Sequence, residues 1–400
     1  MDPVLRERFN AAWTEDLYRR VREDLERRLS CRVPFRVAET PIFFPADFRE
    51  RFSRAATEII AQLSNPLWIA AQEEAVPPAY RAPRRDALPQ VAQVDFAIVR
   101  EEDGSFGPRL VELQGFPSLY GFQILLSEVW AEHLSAVGGM PDKWRMFFGG
   151  FERVRAMALI RETLLAEYDP EEVILLDLDP DTQKTFPDFR ATQRWWGVDP
   201  VCLSAIRREG RQLYREKDGK RIPVKRVFQR VVFDELEKSK LPRTFAFHED
   251  LEVEWVPHPA WYYLWSKQSM LSLDHWAVPK TRLLSSGVPD DLSRYVLKPL
   301  YSFAGAGVNV EPAAEDVAAI PAADRDKWIL QEKVEYAPAF RSVKGDDVKA
   351  EVRMMFVRPE GEHSMTLLMS LLRLSRGKMM GVNFNKDLDW TGASVGLWPA

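Results

Sequence analysis

The sequence predicts an α+β protein built from several modules. Three observations carry that reading. Residues 1–75 have helical texture, Gln93 to Gln114 reads as a β-hairpin, and Val173 to Leu203 alternates strand, helix and strand. Further strands run from Tyr295 to Leu374. At 400 residues the chain is too long for one simple domain.

The elements follow in order. Asp2 to Leu29 is dense in Arg, Glu and Leu, with apolar residues three to four apart, and predicts one amphipathic helix. Ala46 to Leu63 predicts another. Val76 to Pro89 holds four prolines among basic residues and predicts an irregular connection. Gln93 to Arg100 and Arg109 to Gln114 read as hairpin strands, turned at Asp103-Gly104 and Gly107. Phe122 to Val137 reads as a helix stopped by Gly138-Gly139. Val173 to Leu178 is almost wholly apolar, which suits a strand covered on both faces. The helix Asp188 to Trp196, stopped by Gly197, and the strand Val201 to Leu203 complete a β–α–β unit. Tyr214, Asp218-Gly219 and Val224 to Val232 outline a second hairpin. Lys267 to Leu273 predicts a short helix. Tyr295 to Lys298, Val308 to Val310 and Trp328 to Glu332 predict strands. Val348 to Val357 and Met365 to Leu374 predict an antiparallel pair turned near Pro359 and Gly361.

Composition excludes several classes. Apolar residues make up 46% of the chain and charged residues 29%, which rules out global disorder and a fibrous repeat. The net charge of −5 offers no excess to neutralise a phosphate backbone, so nucleic acid is not an expected partner. No apolar run approaches the roughly 18 residues of a spanning helix, so no membrane is expected. Met1 to Glu15 carries mixed charges and no apolar core, unlike a signal peptide, and the cytoplasm is the expected location. Cys31 and Cys202 are expected as unpaired thiols. Five scattered histidines include no close pair, which argues against a His-built zinc site.

Chemistry concentrates in the last third. Val296-Leu-Lys298-Pro is followed by Ser302-Phe-Ala-Gly305-Ala-Gly307-Val. A strand lysine beside a small-residue loop suits either a phosphate grip or a flexible surface hairpin with a solvated lysine. Ile329-Leu-Gln331-Glu332 places a carboxylate at a strand end, either lining a pocket or simply exposed.

The order of these pieces resembles the ATP-grasp superfamily, in which two α+β lobes clamp ATP. The likeness covers roughly Tyr263 to Asn385. Lys298 stands where the family's central ATP lysine stands, and Lys267 in Ser266-Lys-Gln resembles the first. Ser302, Gly305 and Gly307 resemble the phosphate-covering loop, with Ala304 and Ala306 as departures. Gln331 and Glu332 resemble the residues beside adenine. Arg353, in Glu351-Val-Arg353, resembles the arginine of the acidic-x-Arg strand, and Arg373 and Asn383 resemble residues near the transferred phosphate.

Few residues follow Asn385, so the family's usual downstream metal carboxylates have no room there. Asp95 and Leu110-Val-Glu112-Leu-Gln114-Gly-Phe-Pro117 resemble the family's metal-bearing strands, placed at the front. Alternation along the strand puts Glu112 and Gln114 on one face. This order resembles the circularly permuted ATP-grasp proteins, the group that includes glutathionylspermidine-synthase-like proteins. Gln114 stands where Asn is usual.

The resemblance implies a circularly permuted ATP-grasp fold with a small α/β domain and a helical N-terminal segment. It implies a helical segment over 1–80, a metal-bearing hairpin and helix over 81–160, the small α/β domain over 161–255 and the ATP-binding lobes over 256–400. It also implies an ATP- and Mg²⁺-dependent carboxylate–amine ligase acting through an acyl phosphate, with Mn²⁺ an alternative ion. The partners would be ATP, a small-molecule or peptide carboxylate and an amine. Asp95, Glu112 and Gln114 would hold the metal, and Arg353, Arg373 and Asn383 would serve the transferring phosphoryl group. Two alternatives stand beside it: a nucleotide-binding scaffold without turnover, suggested by Gln114 and the loop alanines, and a small-molecule kinase on the same fold.

Overall fold

The computed structural model describes residues 1–400 except 302–306, 378–379, 381–384 and 386. The expected first helix is two. Asp2 caps Pro3–Ala12 by accepting from the Leu5 amide at 3.0 Å. The chain runs extended through Trp13 and Thr14, and the Thr14 hydroxyl caps Glu15–Leu29 by accepting from Leu17 N at 3.1 Å. A threonine hydroxyl serves an orphan amide at a helix start and competes with the ladder inside one, so the periodic pattern breaks there. The Trp13 indole fixes the break by donating to the Glu39 carbonyl at 3.2 Å.

Ala46–Leu63 forms as predicted and buries Phe48, Phe52, Ala55, Ile59 and Leu63. It packs on a mainly antiparallel sheet whose strands run Gly392–Ser394, Thr366–Ser375, Asp347–Val357, Val91–Arg100 and Phe106–Gln114 in spatial order. Pro338–Arg341 adds to the Asp347–Val357 strand. The front hairpin thus shares a sheet with strands from the end of the chain. In this register Asp95 lies opposite Arg353 on one side and Glu112 on the other, and Glu351 lies opposite Arg373.

A second sheet is wholly parallel, in the order Glu254–Val256, Arg226–Gln229, Val173–Asp177, Asp199–Cys202. The predicted β–α–β unit forms one side of it, with Asp199–Cys202 at the edge, and its helix, Phe186–Trp196, ends at Gly197 in the left-handed region (φ 73°). The expected arm Val224 to Val232 is divided. Val224 ends a hairpin strand, while Arg226–Gln229 enters the parallel sheet. Arg226 draws it inward: its buried guanidinium donates to the Leu164 carbonyl at 3.0 Å and pairs with Glu360 at 2.9 Å.

The helix Tyr120–Ser135 joins the two sheets. Asp188 accepts from the Leu119 and Phe122 amides at 3.1 and 3.0 Å, capping its start from the neighbouring helix. Gly121 permits the approach, since a Cβ there would sit 2.9 Å from the Ala191 Cβ. A third, antiparallel sheet holds Thr281–Leu283, Trp328–Glu332 and Tyr295–Pro299. The expected strand Val308 to Val310 shrinks to one bridge, Leu297 to Asn309. The expected helix at Lys267 is a 3₁₀ turn, Lys267–Leu271, capped by Ser266. Trp196, Trp261 and Trp265 are buried packing residues, and Cys31 and Cys202 are unpaired. Among the described residues no helix is long and apolar enough to cross a membrane.

Candidate functional site

A cavity of about 1400 Å³ is lined by residues from all three sheets. At one end the third sheet meets the main sheet's hairpin. Lys298 is buried on the Tyr295–Pro299 strand, where its ammonium donates to the Val111 carbonyl at 3.2 Å and to Gln331 Oε1. Gln331 in turn donates to the Leu110 carbonyl at 3.2 Å, so two side chains tie the sheets together. Lys267 reaches the same wall from its 3₁₀ turn and pairs with Glu112 at 3.2 Å. Burial lowers the Lys298 ammonium to about 8, further than the Glu112 carboxylate can raise it. Glu332 lines the cavity beside Gln331. Gly307 has a φ of 72°, and a Cβ there would meet Pro299 Cγ at 2.8 Å, so both conformation and space require glycine.

The main sheet contributes a charged face. Arg353 grips Asp95 with two bonds, Nε to Oδ1 at 2.7 Å and a terminal nitrogen to Oδ2 at 2.6 Å. Arg373 bridges Asp95 Oδ2 and Glu351 Oε1. Tyr336 donates to Glu351 Oε2 at 3.0 Å. Burial pushes the Asp95 carboxyl upward, but the two guanidinium groups outweigh it and hold the group below the ordinary carboxylate range. Burial raises Glu351, which Arg373 only partly offsets.

Another part of the wall lies at the C-terminal edge of the parallel sheet, the edge where such sheets place ligands. Asp177 ends its strand there, buried on the cavity wall. One oxygen accepts from Leu178 N at 2.7 Å. Arg230, whose charge acts on Asp177, is itself paired with Asp188 at 3.2 Å. Burial lifts the Asp177 carboxyl to about 7, because Arg230 compensates too little.

Of the expected residues, the cavity wall gathers Lys267, Lys298, Gln331, Glu332, Glu112, Gln114, Arg353 and Arg373. Asp95 lies in the same sheet but is fully buried and is not among the lining side chains. Ser302, Gly305 and Asn383 lie outside the described residues. Asp177 and Tyr336, both on the cavity wall, are among the residues that escaped the sequence reading. Asp177 was signalled only as the acid at the end of an apolar strand. Tyr336 sits in an irregular link whose spacing says nothing.

The expected magnesium set can be tested against these donors. Glu112 and Gln114 offer oxygens on one strand face toward the cavity, which suits a hard ion. Asp95 does not, since its oxygens are engaged by guanidinium groups. Among the described residues no three His, Cys, Asp or Glu side chains gather as a metal centre.

No family model matches the sequence, and no curated protein matches it. The fold is similar to that of a glutathione synthetase-like effector from Globodera pallida, solved in its apo form. The TM-score is 0.61 at 13% identity, over 96% of this chain and 97% of that one. At that identity the likeness shows the fold alone, a mixed α/β, glutathione synthetase-like fold.

Proposed function

We propose that the protein is an ATP-dependent carboxylate–amine ligase of circularly permuted ATP-grasp architecture. The observation that carries this reading is the single cavity. It brings two buried lysines, two arginines, a glutamine–glutamate strand end and the Glu112–Gln114 pair together from the two ends of the chain. The hairpin's place beside the Arg353 strand supports the permuted order. The glutathione synthetase-like fold supports the reaction class.

Lys267 and Lys298 bind the nucleotide phosphates, with Gln331 and Glu332 beside the base. Arg353 and Arg373 balance charge on the γ-phosphoryl group as it moves to a carboxylate oxygen and ADP leaves. The amine nitrogen then attacks the acyl carbon. The C–O bond to phosphate breaks, phosphate leaves, and the amine's proton passes to solvent. Glu112 and Gln114 would hold Mg²⁺, whose charge offsets that of the phosphates. Burial of Lys298 strengthens its phosphate contact by excluding water.

ADP release measured without acceptor, and then with carboxylate and amine pools, tests the reading. Amine-dependent release supports the ligase. Release that ignores amine identifies a kinase or ATPase, and binding without release identifies a scaffold.

A further inference from the structure

We propose that Asp95 is a positioning residue for two arginines and that any divalent ion at this site is held by Glu112 and Gln114 without it. This rests on the nucleotide-binding reading above and departs from the metal set expected from sequence. Three observations carry it. The Asp95 carboxylate has no exposed surface and does not line the cavity. Both its oxygens accept from Arg353 in a two-point grip at 2.7 and 2.6 Å, and Oδ2 accepts from Arg373 as well. Glu112 and Gln114, one strand away, line the cavity, and Glu112 gives one oxygen to a single cation, the Lys267 ammonium at 3.2 Å, where Asp95 gives both to guanidinium groups.

A planar guanidinium bonded through two nitrogens is fixed in position and rotation, which a single ion pair does not achieve. Asp95 therefore sets the plane of Arg353. Arg373, held between Asp95 and Glu351, is set by the same carboxylate from the neighbouring side. Both arginines line the cavity, so their remaining N–H groups can meet an anion there. A cation approaching Asp95 would enter a buried site already occupied by two guanidinium groups, whose positive charge opposes it. An anion approaching the arginines finds them already oriented. The residue thus serves phosphate recognition.

Two readouts on the full-length chain separate positioning from ligation. The first is Mn²⁺ affinity by electron paramagnetic resonance, in the presence of the β,γ-imido analogue of ATP. The second is the ratio of affinities for that analogue and for ADP, by calorimetry. Glu112→Gln should weaken Mn²⁺ binding by about tenfold or more, whereas Asp95→Asn should leave it within about threefold of the parent. Asp95→Asn should instead lower the preference for the analogue over ADP by about tenfold, because the misaligned arginines lose the γ-phosphate. Arg353→Lys keeps the charge and removes the fork, so it should lower the same preference and leave Mn²⁺ unchanged. It carries the test if Asp95→Asn fails to fold. Loss of Mn²⁺ affinity in Asp95→Asn equal to that in Glu112→Gln overturns the proposal. So does tighter Mn²⁺ binding in Arg353→Lys, which would mean that a freed Asp95 had become a ligand. A parent protein that binds neither nucleotide removes the functional reading and this inference with it. A parent that binds both, with Mn²⁺ lost in Asp95→Asn, removes this inference alone.

Discussion

The two ends of the cavity handle charge in opposite ways. Where the third sheet meets the main sheet, most cations meet carboxylates: Lys267 with Glu112, Arg353 with Asp95, Arg373 with Asp95 and Glu351, while Lys298 rests on the neutral Val111 carbonyl and Gln331. At the parallel-sheet end Asp177 is buried with no ion-pair partner among the described residues, because Arg230 is committed to Asp188. At this matched end the buried Asp95 carboxylate, paired with two guanidinium groups, is held below the ordinary range. The unmatched end holds a carboxyl near neutrality, where its charge depends on pH. Burial is common to both; two guanidinium partners outweigh it at Asp95, one only partly offsets it at Glu351, and Asp177 has none paired to it among the described residues.

The largest expected effect breaks the matched end. On the proposed ligase reading, Lys298→Ala removes a charge-assisted phosphate contact worth roughly 1.5–3 kcal/mol. That corresponds to about 10- to 150-fold weaker nucleotide binding by calorimetry. Unchanged affinity would remove Lys298 from the site.

The next tests the unmatched end. The folded-state carboxyl of Asp177 at about 7 lies above its ordinary value, so the folded protein binds the proton more tightly than the unfolded chain. Stability from this group is therefore fully present below the ordinary carboxylate range and is lost as pH rises toward 7. Asp177→Asn removes that dependence. Its gain over the parent should grow between pH 4 and 7 and then level off. Urea unfolding across that range reads it. A gain independent of pH would mean that Asp177 is ionised throughout.

Much of this contrast was legible in the sequence and part of it was not. Strands and pairings were legible wherever the pattern was strong: the Ala46–Leu63 helix, the Gln93 to Gln114 hairpin, and the Arg353 and Arg373 strands. Lys298 and the Gln331-Glu332 strand end, singled out by their spacing, line the same cavity. The break at Thr14 was hidden, because a capping hydroxyl and an ordinary helical threonine look alike in one dimension. The contact between Asp95 and Arg353, 258 residues apart, was hidden too. Sequence order suggested which strands carry charge, but only register decides whether a carboxylate meets an arginine or faces a cavity. Asp177 was silent for a related reason: its shift comes from where Arg230 spends its charge.

A pH titration sharpens the comparison within the matched end. Lys298 in the free protein loses its proton at about 8. Phosphate favours the ammonium form, so binding takes up a proton and affinity must fall as pH rises through that value. The decline should approach about tenfold per pH unit above it and be absent in Lys298→Arg, whose guanidinium stays charged. Calorimetry in buffers of different ionisation enthalpy would show the proton uptake directly. A flat profile between pH 7 and 9 would mean that the ammonium survives burial better than its surroundings suggest.

The smallest effect comes from Tyr336, at the edge of the matched network. Its hydroxyl donates to Glu351 Oε2 at 3.0 Å, while Arg373 holds the other oxygen. Burial, and then the Glu351 carboxylate, push the phenol well above its ordinary range, so it remains a donor at any working pH. Tyr336→Phe deletes one neutral donor and keeps the ring. Glu351 retains its guanidinium partner, so the network loses a hydrogen bond but no charge. The cost should be about 0.5–1.5 kcal/mol in urea unfolding. Analogue affinity should change by less than about threefold, because Arg373 keeps both carboxylate contacts. Asp95→Asn makes the contrasting case, since it leaves two guanidinium groups without their shared anion. If Tyr336→Phe proved as damaging as Asp95→Asn, the phenol would be orienting Glu351 and through it Arg373. The matched end would then depend on a hydrogen-bonded chain rather than on paired charge, and the contrast with Asp177 would need restating in those terms.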